Sequence, residues 1–237
     1  GTCCLKYSFH EGTPAGSHQL IHGVDTYVSG TKSDKVIVIY TDIYGNKFQN
    51  TLLLADKFAA AGFYVLVPDI LNGEVGNPNW TKEELYAWLP VLFQKIASTP
   101  QLLKKFLTLI KEEDKAKFIG GVGYCLGATY LVSELAENGL LDAGCVAHPS
   151  KVDQESFKPI RKPILISAAE TDPSFQPELR HFAEQILAEN KVTYQSTVFS
   201  GVYHGFAVKG DYSVENIRYA ANKALKDHIE WFERFSS

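Results

Sequence analysis

The sequence predicts a single α/β domain, a mostly parallel central sheet with helices on both faces. Three observations predict it. The 237 residues suit one layered domain. Short β-branched runs alternate with amphipathic stretches along the chain, the order that builds parallel βαβ units. Runs such as Lys35-Val36-Ile37-Val38-Ile39-Tyr40 are continuously apolar rather than alternating, as strands covered on both faces must be.

The elements follow in order. Residues 19–28 read as a strand or hairpin with an antiparallel edge role, and 35–40 as a buried strand. Residues 50–61 carry a helix that stops at Gly62. Phe63-Tyr64-Val65-Leu66-Val67 is the next strand, closed by Pro68-Asp69. The Asn-, Gly- and Pro-rich stretch 71–80 is loop. Thr81 then caps a helix, with Glu84 completing a capping box. A helix over 100–113 precedes a strand at 117–122. A helix over 127–138 and a strand at 143–147 come next. Strand 163–168, helix 175–189, strand 193–199 and helix 214–234 complete the set. No linker, internal repeat or low-complexity tract divides the chain, so residues 1–237 are expected to form one domain.

Composition narrows the function. Lys and Arg total 23 against 27 Asp and Glu, a net charge of −4. There is no basic stripe, and the arginines are only Arg161, Arg180, Arg218 and Arg234, so no nucleic-acid partner is expected. No apolar run is long enough for a membrane span, and none is expected. Cys3 and Cys4 are adjacent, there is no CxxC, and Cys125 and Cys145 stand alone. That is neither a zinc pattern nor a disulfide framework, so a reducing, cytoplasmic setting is expected. Cys3-Cys4 is expected near the surface or packed locally. The chain contains no methionine and is expected to lack its first residues.

The sharpest motif is Gly123-Tyr124-Cys125-Leu126-Gly127, the thiol version of the G-x-S-x-G nucleophile elbow. A nucleophile on a tight strand-to-helix turn needs small neighbours, because the backbones pass closely. A helix N-terminus beside the sulfur favours thiolate. The bland alternative is a buried structural cysteine in the same turn. His204, in Gly201-Val202-Tyr203-His204-Gly205-Phe206, sits in a late loop and suits a general base. Asp172, before Pro173, is placed to orient it; a turn role is its alternative, and Glu170 is its local rival. The order Cys125, Asp172, His204 is the nucleophile–acid–histidine order of α/β-hydrolases.

With these motifs the chain resembles the dienelactone hydrolase family, and within it the fungal members. The likeness runs from Gly12 to the C-terminal helix and includes Thr41-Asp42-Ile43-Tyr44-Gly45, Val67-Pro68-Asp69 and His204-Gly205-Phe206. The resemblance implies a single-domain α/β-hydrolase with a Cys125–His204–Asp172 triad. It implies that Asp42 stands where the family usually has a glutamate that contacts the resting cysteine and helps deprotonate it. The oxyanion hole is expected from the N–H groups of Leu126 and Ile43. Bacterial members place an arginine four residues past the histidine; here Val208 stands there, with Lys209 beside it, which predicts a different substrate pocket.

Tyr44, Trp80, Trp88 and Phe206 are expected as pocket walls, and Lys209 as a pocket residue that could supply a point charge. His148, in His148-Pro149-Ser150, is a candidate wall or anchor for an acyl or carboxylate group. The expected activity is hydrolysis of a small ester or lactone through an acyl-enzyme, with no metal or organic cofactor. A thioester or general carboxylester is the rival substrate. A non-catalytic redox-sensing or binding protein using Cys125 is the alternative of another class.

Overall fold

The computed structural model describes residues 8–237. Cys3 and Cys4 lie outside the described residues. The first elements of the described residues form a hairpin, β1 (Ser17–Ile21) and β2 (Val24–Ser29). Then come β3 (Lys35–Tyr40), α1 (Gln49–Ala60), β4 (Tyr64–Pro68), α2 (Lys82–Lys95) and α3 (Thr99–Glu112). β5 (Phe118–Tyr124), α4 (Gly127–Ser133), β6 (Ala143–Ala147), α5 (Gln154–Phe157) and β7 (Ile164–Thr171) follow. The chain ends with α6 (Pro177–Glu189), β8 (Tyr194–Tyr203), α7 (Phe206–Lys209) and α8 (Glu215–Phe235).

The eight strands form one sheet in the order β1-β2-β4-β3-β5-β6-β7-β8. β1 and β2 are the antiparallel edge, with Ser17 opposite Val28, and β2 runs antiparallel to β4. All remaining neighbours are parallel. Right-handed crossovers that leave in opposite directions from the middle of a parallel sheet must lie on opposite faces. α1, between β3 and β4, packs with α7, which in turn packs on α8. α4, between β5 and β6, lies with α5 and α6 on the other face. Phe232 of α8 gathers Phe58, Phe63 and Phe118 around itself at centroid distances of 6.1, 6.3 and 6.2 Å. This cluster closes the core on the α1–α8 face.

Three expected elements differ. The helix expected over 127–138 ends at Ser133. Glu134 stops it: its carbonyl accepts from the Leu141 amide at 3.3 Å and its carboxylate from the Leu140 amide at 3.1 Å, so the chain folds back over it. The strands expected to stop at 168 and 199 run on to Thr171 and Tyr203. They stay paired past an irregularity between Ala169 and Thr171. The four-residue helices α5 and α7 carry too little periodicity to be read from sequence.

β3 and β5 are adjacent, yet their crossovers leave in opposite directions. Their C-terminal ends therefore open a crevice, the usual place for a site in such sheets. Asp42-Ile43 follows β3 and Cys125 follows β5.

Candidate active site

Sequence sets the geometry at Cys125. The residue has φ 51°, a left-handed conformation that a non-glycine side chain adopts at a cost of about 1–3 kcal/mol. The glycines around it allow the turn. A Cβ on Gly127 would lie 2.1 Å from the Tyr40 carbonyl oxygen, and one on Gly123 would lie 2.8 Å from Ala128 Cα. The elbow is therefore clamped between the end of β3 and the first turn of α4. Its amide donates to the Ala147 carbonyl at 3.3 Å, tying it to β6.

The strand extensions bring in the other two groups. Thr171 pairs with Tyr203, and the His204 amide donates to the Thr171 carbonyl at 3.2 Å. Asp172 and His204 are thus consecutive to a cross-strand pair. His204 Nδ1 lies 2.8 Å from Asp172 Oδ2 and 2.9 Å from Oδ1. An ionised carboxylate only accepts, so Nδ1 carries the proton and Nε2 is left to face the thiol. Nε2 is 3.1 Å from Cys125 Sγ. Asp172 Oδ1 also accepts from the Ser174 amide at 2.8 Å, which fixes the carboxylate. Both residues are buried. The sequence rival Glu170 is exposed and holds the Gly201 amide at 2.8 Å instead.

The thiol opens onto a cavity of about 210 Å³. Ile43, Leu126 and Ser150 line it next to Cys125; Leu85, Tyr86, Leu89 and Phe93 of α2 form its apolar wall, and Lys151 is its one charged lining residue. Among the described residues neither the Ile43 nor the Leu126 amide is hydrogen-bonded to another main-chain group. A larger cleft of about 790 Å³ lies between residues 8–15, α1 and α8, and none of the three chemical groups borders it.

Several expected wall residues stand elsewhere. Tyr44, Trp80, Trp88, His148, Phe206 and Lys209 do not line the cavity at Cys125. Trp88 lies in α2 but turns to Trp80, at 5.0 Å between rings. Tyr44 packs on Phe48 at 5.0 Å, and the Lys209 ammonium lies 5.4 Å from the Tyr44 ring centre. Lys209 and Val208 are both buried in α7. Helical spacing on α2 puts Leu85 and Leu89 on the face that lines the cavity. A loop serine such as Ser150 carries no signal of its own in the sequence. The structure sets its Oγ 3.4 Å from Cys125 Sγ.

His148 lies behind the site instead of in front of it. Its ring meets His204 edge-on at 5.1 Å and Phe206 at 5.6 Å. Burial, then the neighbouring His204 and Lys209, hold its pKa well below the ordinary histidine value, so it is neutral. Asp42 is buried, with Oδ1 accepting from the Tyr44 amide at 2.9 Å and Oδ2 without a partner. Burial raises its pKa, against the opposing charge of Lys209 and the Tyr44 hydrogen bond. Among the described residues no group of three or more His, Cys, Asp or Glu is arranged to hold a metal ion.

The mostly parallel eight-stranded sheet, with a thiol on the strand-to-helix elbow after β5 and an imidazole and a buried carboxylate brought to it, has the architecture of an α/β-hydrolase fold. The model of the dienelactone hydrolase family matches residues 24–236, and the chain belongs to that family, a hydrolase among hydrolases. It is 33% identical to hydrolase tropI of Talaromyces stipitatus, covering 99% of this chain and 96% of that one. It is 31% identical to dienlactone hydrolase 1 of Gibberella moniliformis, covering 98% and 92%. Among solved structures, a putative dienelactone hydrolase from Klebsiella pneumoniae superposes with a TM-score of 0.74 at 17% identity, covering 93% of this chain and 98% of that one, a likeness of fold. No helix among the described residues is long and apolar enough to cross a membrane.

Proposed function

We propose that the protein hydrolyses a small ester or lactone, of the dienelactone type, through Cys125, His204 and Asp172. One observation carries this reading: the continuous contact from Asp172 through His204 to the sulfur, at 2.8 and 3.1 Å. His204 takes the thiol proton, and Cys125 attacks the carbonyl. The tetrahedral oxyanion is received by the amides of Ile43 and Leu126, which flank the thiol in the cavity wall. His204 returns the proton to the leaving alcohol or enol. The acyl-enzyme is then released by water that His204 activates, while Asp172 keeps Nδ1 protonated and supports the imidazolium.

Asp42 assists at the start. Its buried, unfilled Oδ2 suits a group that accepts a hydrogen bond from the resting thiol until the proton passes to His204. Thiolate is also a good leaving group, so the substrate is an activated ester whose own leaving group is stable. The apolar α2 wall supports a small, largely apolar substrate body. A thiol nucleophile works best where it stays reduced, so we place the enzyme in the cytoplasm.

Steady-state hydrolysis of a dienelactone and of p-nitrophenyl acetate, with Cys125→Ala as control, tests the reading. Turnover of either ester is expected, and the variant should lose it by about a thousandfold or more. Acetate cleavage alone would keep the machinery and move the substrate. If neither ester is cleaved above the variant's background, the catalytic reading falls, and a redox or binding role for Cys125 takes its place.

A further inference from the structure

We propose that Ser150 is a further catalytic residue, whose hydroxyl donates a hydrogen bond to the Cys125 thiolate and keeps the nucleophile ionised. The proposal rests on the reading of Cys125 as nucleophile. Ser150 Oγ lies 3.4 Å from Cys125 Sγ, within reach of a hydrogen bond to sulfur, and Nε2 of His204 reaches the same atom at 3.1 Å. When the thiol proton passes to Nε2, sulfur carries a full negative charge and His204 becomes a cationic donor. Ser150 then has only one useful orientation, with its O–H toward sulfur. No proton leaves Ser150; it polarises the thiolate and follows the charge. A charge-assisted bond of this kind is stronger than the neutral thiol–hydroxyl contact it replaces, so it favours ionisation.

The fold places this hydroxyl deliberately. The Ser150 amide donates to the Cys125 carbonyl at 3.0 Å, and its own carbonyl accepts from Thr129 Oγ1 at 3.1 Å. Two non-glycine residues flanking Pro149-Ser150 have left-handed backbones, His148 at φ 39° and Lys151 at φ 54°. Each costs about 1–3 kcal/mol and is held only because the surroundings demand it. Together they fold the loop after β6 back over the elbow. Ser150 also lines the substrate cavity, so its hydroxyl reaches the sulfur from the open side.

The test is the pH dependence of iodoacetamide alkylation at Cys125, followed on the Cys125 peptide by mass spectrometry so that other cysteines do not contribute. The titratable and charged groups around the thiol are His204 with Asp172 behind it, Asp42 after β3, His148 behind His204, Lys209 near Asp42, and Tyr86 and Lys151 along the cavity. All are common to the proteins compared, so the comparison isolates the hydroxyl. In the native protein the alkylation midpoint should fall below the ordinary thiol value of about 8.5. In Ser150→Ala it should rise by about one pH unit, and in Ser150→Thr, which keeps the hydroxyl, it should stay near native. An unchanged or lower midpoint in Ser150→Ala overturns the proposal, as does an equal rise in both variants. An ordinary midpoint already in the native protein, with no ester turnover, removes the nucleophile reading itself. A low native midpoint that Ser150→Ala leaves alone removes only the role of Ser150.

Discussion

Cys125 occupies a backbone conformation that its own side chain disfavours, and the two glycines around it show why it stays there. The Gly127 α-carbon passes so close to the Tyr40 carbonyl that a methyl group would sit at 2.1 Å from its oxygen. Backbone oxygen cannot swing aside as a side chain can. Gly127→Ala should therefore destabilise the fold by about 3 kcal/mol or more, in the range of severe overpacking, and urea unfolding measures it. A stable, fully active Gly127→Ala protein would mean that the elbow tolerates a shift of β3. At the same scale Asp42 is bound on one oxygen and open on the other. It is both a turn residue, through the Tyr44 amide, and a carboxyl with a raised proton affinity. Its place in the crevice follows from the end of β3, one strand away from the elbow.

α2 is the element that walls the cavity at Cys125, and its own stability is local. Thr81 accepts from the Glu84 amide at 3.2 Å, and the Glu84 carboxylate accepts from the Thr81 amide at 2.7 Å. These bonds satisfy two otherwise open donors in the first turn, just ahead of Leu85, Tyr86 and Leu89 in the cavity wall. Thr81→Ala should cost about 1 kcal/mol of stability. Because the lost order lies in the wall and not at sulfur, KM should rise while kcat changes little. A kcat loss at constant KM would show that α2 acts on the chemistry itself. β7 and β8 make the opposite point. Their chemical residues depend on pairing that continues beyond the expected strand ends, to Thr171 and Tyr203.

At the scale of the molecule, buried neutral histidines govern the response to acid. His228 hydrogen-bonds Ser167 at 3.1 Å, and burial takes its pKa down to about 3. His148 is likewise held well below the ordinary value, and burial lowers His10 as well. In the unfolded chain each takes a proton near pH 6.5, while in the folded protein each takes it only at lower pH. Below that pH the unfolded state binds more protons, so stability falls as pH falls. For His228 the loss continues until its folded pKa, about 3, is reached. Each deeply shifted histidine contributes about 1.4 kcal/mol per pH unit in that window. Asp42 acts with the opposite sign, because its raised carboxyl gains a proton more readily folded than unfolded. Urea unfolding at pH 6.5 and 5 should show the loss, and His228→Leu should flatten the slope by about 1.4 kcal/mol per unit. An unchanged slope would mean that His228 titrates as freely in the fold as outside it.

Local chemistry is legible in the sequence. Buried parallel strands are written as unbroken apolar runs, and the capping box at Thr81 and the elbow glycines lie within a few residues of what they control. Cys125, Asp172 and His204 are legible as candidates for the same reason: each sits in a local pattern near the end of an expected strand. How distant segments converge depends instead on the assembled sheet. Glu170 and Asp172 are equivalent by composition, and the pairing of Thr171 with Tyr203 sets the second against His204. The helix expected to reach residue 138 stops at Ser133 because Glu134 binds two later amides. Trp88 and Tyr44 looked like pocket walls, but a side chain's direction depends on neighbours from other elements, and both found aromatic partners. Ser150 has no signature in sequence, because its position over the thiol is made by a loop from β6 folding back onto the turn after β5. Short-range forces act within the sequence window in which they can be read. The contacts that complete the site join residues tens of positions apart, and their geometry exists only once the sheet has formed.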